Sequence, residues 1–98
     1  MKLTAHPDGA GTLSIHAEGA LTIYEAAEAR AALLALVDGV SRVELDLADV
    51  GEIDSAGLQL LLATARTLGA GFSLKRPGPA VVEAIELLGL ARHLPIAA

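Results

Sequence analysis

The side chains best placed to do chemistry in this chain stand together in Asp54-Ser55-Ala56-Gly57. A carboxylate and a hydroxyl just before an apolar, periodic segment are the residue types that open a helix. Each can accept a hydrogen bond from amides that have no partner inside the helix. The same place suits an anion, because the free amides and the positive end of the helix dipole meet there. A serine nucleophile needs other surroundings: the elbow of the α/β hydrolases reads Gly-x-Ser-x-Gly, and Ile53 stands where its first glycine belongs. Neither Gly-x-x-x-x-Gly-Lys nor Gly-x-Gly-x-x-Gly occurs, so no phosphate-cradling loop points to a nucleotide. His6, His16 and His93 are scattered; the first two can share one face of a hairpin but lack a third ligand nearby. The expectation is a chain that is not an enzyme and holds no metal or cofactor.

The elements around that stretch follow from periodicity. Lys2–His6 and Thr12–Glu18 alternate apolar and polar residues about the Asp8-Gly9-Ala10-Gly11 turn, which predicts a β-hairpin. Thr22 and Glu25 have capping-box spacing, followed by Ala26, Ala27, Leu33, Leu34 and Val37 at helical intervals and by Gly39 as a stop. Arg42–Leu47 alternates again, with Val43, Leu45 and Leu47 to one side and Glu44 and Asp46 to the other. After Ser55 a stripe of Leu58, Leu61, Leu62, Ala65 and Leu68 predicts a second helix, closed by Gly69 and Gly71. Off that stripe, Gln59 and Leu60 are candidates for a partner surface. Phe72–Lys75 is a short strand, and a third helix starts near Pro79 with Val82, Ile85, Glu86 and Leu88, ending near Gly89; Leu90–Leu94 forms a last turn before Pro95.

Every strand is apolar on one face only, so helices are expected on one side of a small mixed sheet of four or five strands in an α/β domain. The 98 residues form one domain, 1–98, with no repeat or linker. Absence of cysteine fits a reducing compartment. The longest purely apolar run, Ala31–Val37, falls far short of the roughly 20 residues that span a bilayer. With no basic segment leading into an apolar core, the expectation is a cytoplasmic protein. A net charge of −5 argues against nucleic acid, and Tyr24 and Phe72 alone leave little on which bases could stack. Other proteins are the expected partners. The open sheet edges allow either a monomer or a weak homodimer.

Val43-Glu44-Leu45-Asp46-Leu47, Val50, and Ile53-Asp54-Ser55-Ala56-Gly57-Leu58 together resemble the signature of STAS domains. Gly19-Ala20-Leu21-Thr22 resembles the family's turn into its first helix, and Gly89-Leu90 with Pro95-Ile96 its C-terminal pattern. The family includes anti-sigma-factor antagonists, modules of sulfate transporters and a subunit of bacterial phospholipid transporters. In the antagonist branch the resemblance implies a phospho-switch: a serine kinase acting as anti-sigma factor binds the unmodified protein, phosphorylates the motif serine and is released, and a phosphatase resets the state. Ser55 matches that serine, Asp54 and Asp46 the family's acidic positions, and Gly57 its glycine. Ala56 leaves Ser55 as the motif's only hydroxyl. Thr22 and Tyr24, in Leu-Thr-Ile-Tyr wording closer to STAS proteins outside the sigma-factor systems, complete the expected partner surface with Asp54, Ser55, Ala56, Gly57, Gln59 and Asp46. The competing expectation is a non-catalytic subunit of an ABC-type transporter, or a chemotaxis-linked scaffold, with Ser55 serving only as a helix cap.

Overall fold

The computed structural model describes residues 1–94 and Ile96; Pro95, which closes the last predicted turn, lies outside the described residues. Strands β1 (Lys2–Pro7) and β2 (Thr12–Leu21) form the hairpin. They are followed by α1 (Ile23–Val37), β3 (Arg42–Ile53), α2 (Ser55–Leu68), a 3₁₀ turn over Gly69–Gly71, β4 (Phe72–Lys75) and α3 (Pro79–Leu87). The four strands make one sheet in the order β1-β2-β3-β4. β1 runs antiparallel to β2, whereas β2, β3 and β4 are parallel and joined by helical crossovers. The expected element order and mixed sheet are both present.

Alternation gives each strand its inner face. Ile15, Ala17, Val43, Leu45, Leu47, Phe72 and Leu74 are buried against Ala29, Leu33 and Val37 of α1, Leu58 and Leu61 of α2, and Val81 and Ile85 of α3. Burial of such side chains contributes about 1.5–3 kcal/mol each. Register places Thr4, His16, Asp46 and Lys75 in one row across the other face. Near the end of the chain Ile96 bridges to Leu74, and Leu94 is buried.

Three expectations about faces change. Leu34 and Ala27 point outward on α1, whose core line is Ala29, Leu33 and Val37 at i, i+4 and i+8. Leu60 is only 7% exposed, so it belongs to the core and is no partner-surface residue, whereas Gln59 is exposed. α2 is covered on a broader arc than a single stripe, with Thr64 buried and its hydroxyl donating to the Leu60 carbonyl at 2.9 Å. On α3, Val81 and Ile85 are buried while Leu88 is exposed.

β3 also runs longer than the sequence suggests, to Ile53 instead of Leu47. Register shifts occur between His16 and Glu18 and between Gly19 and Ala20, so β3 carries extra residues against β2. Each shift resets the alternation, which moves burial from Leu47 to Val50 and hides the strand from a period-two reading. The extension carries β3 up to Asp54, beside the end of β2.

Candidate functional site

At that end of the sheet β2 and β3 finish together, Leu21 in register with Ile53, and each leads at once into a helix. Thr22 is the N-cap residue of α1 and Asp54 that of α2, both with extended backbone. The expected reciprocal capping box does not form. The Thr22 hydroxyl donates to the Glu25 carboxylate at 2.9 Å, and Thr22 makes no side-chain cap to its own helix. A residue from the other helix takes over: Asp54 Oδ2 accepts from the Ile23 amide at 2.9 Å, while its Oδ1 accepts from the Gly57 amide at 3.1 Å. One carboxylate thus caps two helices, satisfying an otherwise free donor on each. The amides of Ile23 and Gly57 hold the Asp54 carboxyl below the usual carboxylate range. Sequence spacing allowed Asp54 as a cap for α2; the bond to α1 crosses 31 residues and has no local signal.

Ser55 is therefore the first residue of α2 rather than its cap, and it is exposed. Ala56 is half-buried beside it. Gly57 is buried where α2 leans on the end of β2: a Cβ there would lie 2.2 Å from the Leu21 carbonyl oxygen and 2.9 Å from both Leu21 Cγ and Ile53 Cγ1. Only a residue without a side chain lets the first turn of α2 sit this close, so Gly57 sets the place from which Ser55 is presented. Next to Asp54, α1 opens with two exposed apolar residues, Ile23 at 66% and Tyr24 at 91%. The sequence named Tyr24 but not Ile23, which reads as an ordinary first core residue of the helix.

Asp46 belongs to a different place. It lies mid-strand on the polar face, as the alternation predicts, but is only 9% exposed and so is a buried carboxylate. Its carboxylate pairs with Arg76, accepts from the Ala48 amide at 3.0 Å and stands 3.4 Å from His16 Nδ1. Burial raises its carboxyl, but Arg76, the Ala48 amide and His16 outweigh that and bring it below the ordinary value. Arg76 reaches it from a left-handed backbone conformation (φ 47°), uncommon for a residue with a side chain. His16 also faces Asp49 at 2.8 Å and Glu18 at 3.8 Å. Six residues of strand lie between Asp46 and Ile53, a separation on the order of 20 Å. The structure brings Thr22, Tyr24, Asp54, Ser55, Ala56 and Gly57 together, with Gln59 one turn on, and leaves Asp46 outside the group.

Comparisons with known proteins bear on the family and the fold. The family described as "Mlab, STAS domain" matches residues 5–96. No curated protein matches the sequence. An anti-sigma factor antagonist from Mycobacterium paratuberculosis is 30% identical, with a TM-score of 0.82 over 97% of this chain and 85% of that one. The anti-sigma factor antagonist SpoIIAA in its unphosphorylated form is 22% identical, with a TM-score of 0.77 over 99% of this chain and 89% of that one. The murine anion transporter solute carrier 26 family member A9 contains a similarly folded part, at 17% identity and a TM-score of 0.74. This match covers 90% of the present chain and 16% of the transporter. At these identities the last two likenesses are of fold alone.

Proposed function

The chain belongs to the STAS-domain family, and from that premise we propose that it is a non-catalytic, cytoplasmic binding module of the anti-sigma-factor-antagonist kind. In this reading a partner serine kinase docks on the convergent ends of α1 and α2, phosphorylates Ser55 and is released by the product; a phosphatase restores the hydroxyl. The observation that carries the proposal is the exposed Ser55 hydroxyl at the first residue of α2, flanked by the doubly bonded Asp54 and by the bare Ile23 and Tyr24 side chains.

The physical logic is a change of charge on a surface whose shape stays the same. Phosphorylation adds roughly −1.5 to −2 charges at neutral pH. Two helix N-termini meet at Asp54, so the fold tolerates an anion beside them. A partner seated on Ile23, Tyr24 and the neutral hydroxyl faces a different situation. The phosphate and the ionised Asp54 carboxylate would both have to be desolvated against it, at a cost of roughly 1–3 kcal/mol or more for an unpaired group. That cost weakens binding about tenfold or more.

The test is recovery of partners from the native host with tagged wild type and Ser55→Asp, identified by mass spectrometry, with circular dichroism confirming that both are folded. A kinase-type partner that is present with wild type and lost with Ser55→Asp is the expected result. The same partner, or a transporter ATPase, recovered equally with both would replace this reading with that of a constitutive subunit or scaffold. Tyr24→Ala supplies a further expectation. An exposed aromatic beside the switch residue is the type of side chain that anchors interfaces, so its truncation should weaken the same complex by about tenfold, close to 1.4 kcal/mol, with the melting temperature unchanged. Titration calorimetry with the recovered partner checks it.

A further inference from the structure

His16 stands on the open face of the sheet among three carboxylates from two strands. Its Nδ1 lies 3.4 Å from Asp46 Oδ2, and its Nε2 lies 2.8 Å from Asp49 Oδ2 and 3.8 Å from Glu18 Oε1. The imidazole is 26% exposed and the Asp46 side chain 13%, so water screens this contact poorly. An ionised carboxylate only accepts, and a neutral imidazole carries a proton on one nitrogen alone. With carboxylate oxygens facing both nitrogens, a neutral ring sets one bare lone pair against an oxygen, whereas the imidazolium presents a proton to each side. The surrounding charges favour the same state. Asp46, Asp49 and Glu18 are met within the cluster by one cation, Arg76 on Asp46. Lys75, next in the row, is taken by Glu44 at 2.7 Å; on β1, Lys2 stands opposite Glu18 and the uncharged Thr4 opposite His16. Among the described residues no group of three or more His, Asp or Glu is disposed to hold a metal ion.

The register gives the ring a structural role. His16 and Glu18, two apart on β2, pair with Asp46 and Asp49, which are three apart on β3. The extra residue of this bulge turns Asp49 to the face that Asp46 already occupies; in a regular strand the two would point to opposite faces. His16 spans the bulge and meets a carboxylate at either end of it. Beyond the bulge β3 runs on to Ile53 and then to Asp54, the residue that caps both helices beside Ser55.

We propose that His16 is a proton-operated clamp on this bulge. Protonated, it ties Asp46 to Asp49 and fixes the outer half of β3 against β2. Neutral, it releases one of the two carboxylates, and the outer half of the strand loosens. Arg76 holds Asp46 in both states, so the fold itself persists. Histidine is the side chain whose charge ordinarily changes near neutrality. Because the folded contacts favour the charged ring, the stabilisation is fully present below the ordinary histidine value of about 6.5 and is lost as pH rises above it.

Melting curves of wild type and His16→Gln between about pH 5.5 and about pH 8.5 test this, a range in which ordinary carboxylates stay ionised. Glutamine keeps a hydrogen-bonding side chain that does not titrate. Wild type should melt roughly 5 °C above His16→Gln at the acid end, with the gap mostly closed at the alkaline end. His6, exposed and outside the cluster, supplies the control: His6→Gln should show no such pH-dependent gap. Asp49→Asn, whose amide can donate to a bare ring nitrogen, should flatten the pH dependence with His16 in place. Exchange of the Val50–Ile53 amides, corrected for intrinsic rates, locates the effect. Their protection should fall about fivefold across the same range in wild type and stay level in His16→Gln. A melting gap of equal size at both ends of the range, or strand-end amides equally protected throughout, overturns the proposal. These readouts need no partner and no modification of Ser55, so they stand or fall apart from the phospho-switch.

Discussion

Gly57→Ala is expected to destabilise the domain by about 2–4 kcal/mol, a melting-temperature fall of roughly 10–25 °C for a chain of this size. The added methyl would sit 2.2 Å from a backbone oxygen, that of Leu21, as well as against Leu21 Cγ and Ile53 Cγ1. A side chain could rotate away; a carbonyl in a paired strand cannot. Relief requires the first turn of α2 to lift off the end of β2. This move stretches the bond from the Gly57 amide to Asp54 Oδ1 and shifts the Asp54 amide, which donates to the same Leu21 oxygen at 3.3 Å. Because the worst contact is with backbone, trimming the neighbour helps little: Leu21→Ala combined with Gly57→Ala should recover only a minor part of the loss. Thermal unfolding of the two single variants and the double variant measures this. A Gly57→Ala protein as stable as wild type would mean that α2 is free to shift and that Ser55 is less firmly placed than described here.

Much of the fold could be read in advance because one-sided strands and helical stripes are local patterns with local causes. Element order, the hairpin, a helix opening at the Asp54-Ser55-Ala56-Gly57 stretch and the burial of Leu58 and Leu61 all follow from residue spacing. The failures share a physical origin in long-range placement. A single narrow stripe puts Leu60 outward, yet α2 is packed against both β3 and β4 and is covered over a wide arc. β3 looked short because its register shifts scramble alternation after Leu47.

At the site, residue types were legible but their partners were not. Thr22 and Glu25 do interact, through each other's side chains, while the capping of α1 falls to Asp54 across 31 residues. Asp46 was grouped with Ser55 by motif, and the strand's length keeps them apart. A signal for its true setting was present: in a parallel sheet of this order, the polar positions His16 and Asp46 fall opposite each other, and Arg76 follows directly on β4. Arg76, with its uncommon backbone conformation, pairs with Asp46, so that cluster is a separate polar group on the open face of the sheet.

Asp54→Ala is the other large effect to expect, because one side chain caps two helices. Each lost cap leaves a helix-terminal amide without its acceptor, and both losses together should lower the melting temperature by roughly 10 °C at neutral pH. The charge makes the effect depend on pH in a defined direction. The Asp54 carboxyl titrates lower in the folded chain than in the unfolded one, where it lies at about 3.9. On acidification the unfolded state takes up the proton first, so the stabilisation is fully present above that value and is lost as pH falls through the lower folded value. Asp8 and Asp46 are shifted the same way, so wild type and variant both lose stability in acid; what belongs to Asp54 is the difference between them. That difference should be widest near pH 7 and shrink below pH ~4. Asp54→Asn keeps one acceptor oxygen and no charge, so it should retain the cap of one helix and show no charge-linked change of its own with pH. Melting curves of the three proteins between neutral and acid pH distinguish the cases: a gap between wild type and Asp54→Ala that stays constant down to acid pH would show that the carboxylate charge contributes nothing to holding α1 and α2 together around Ser55.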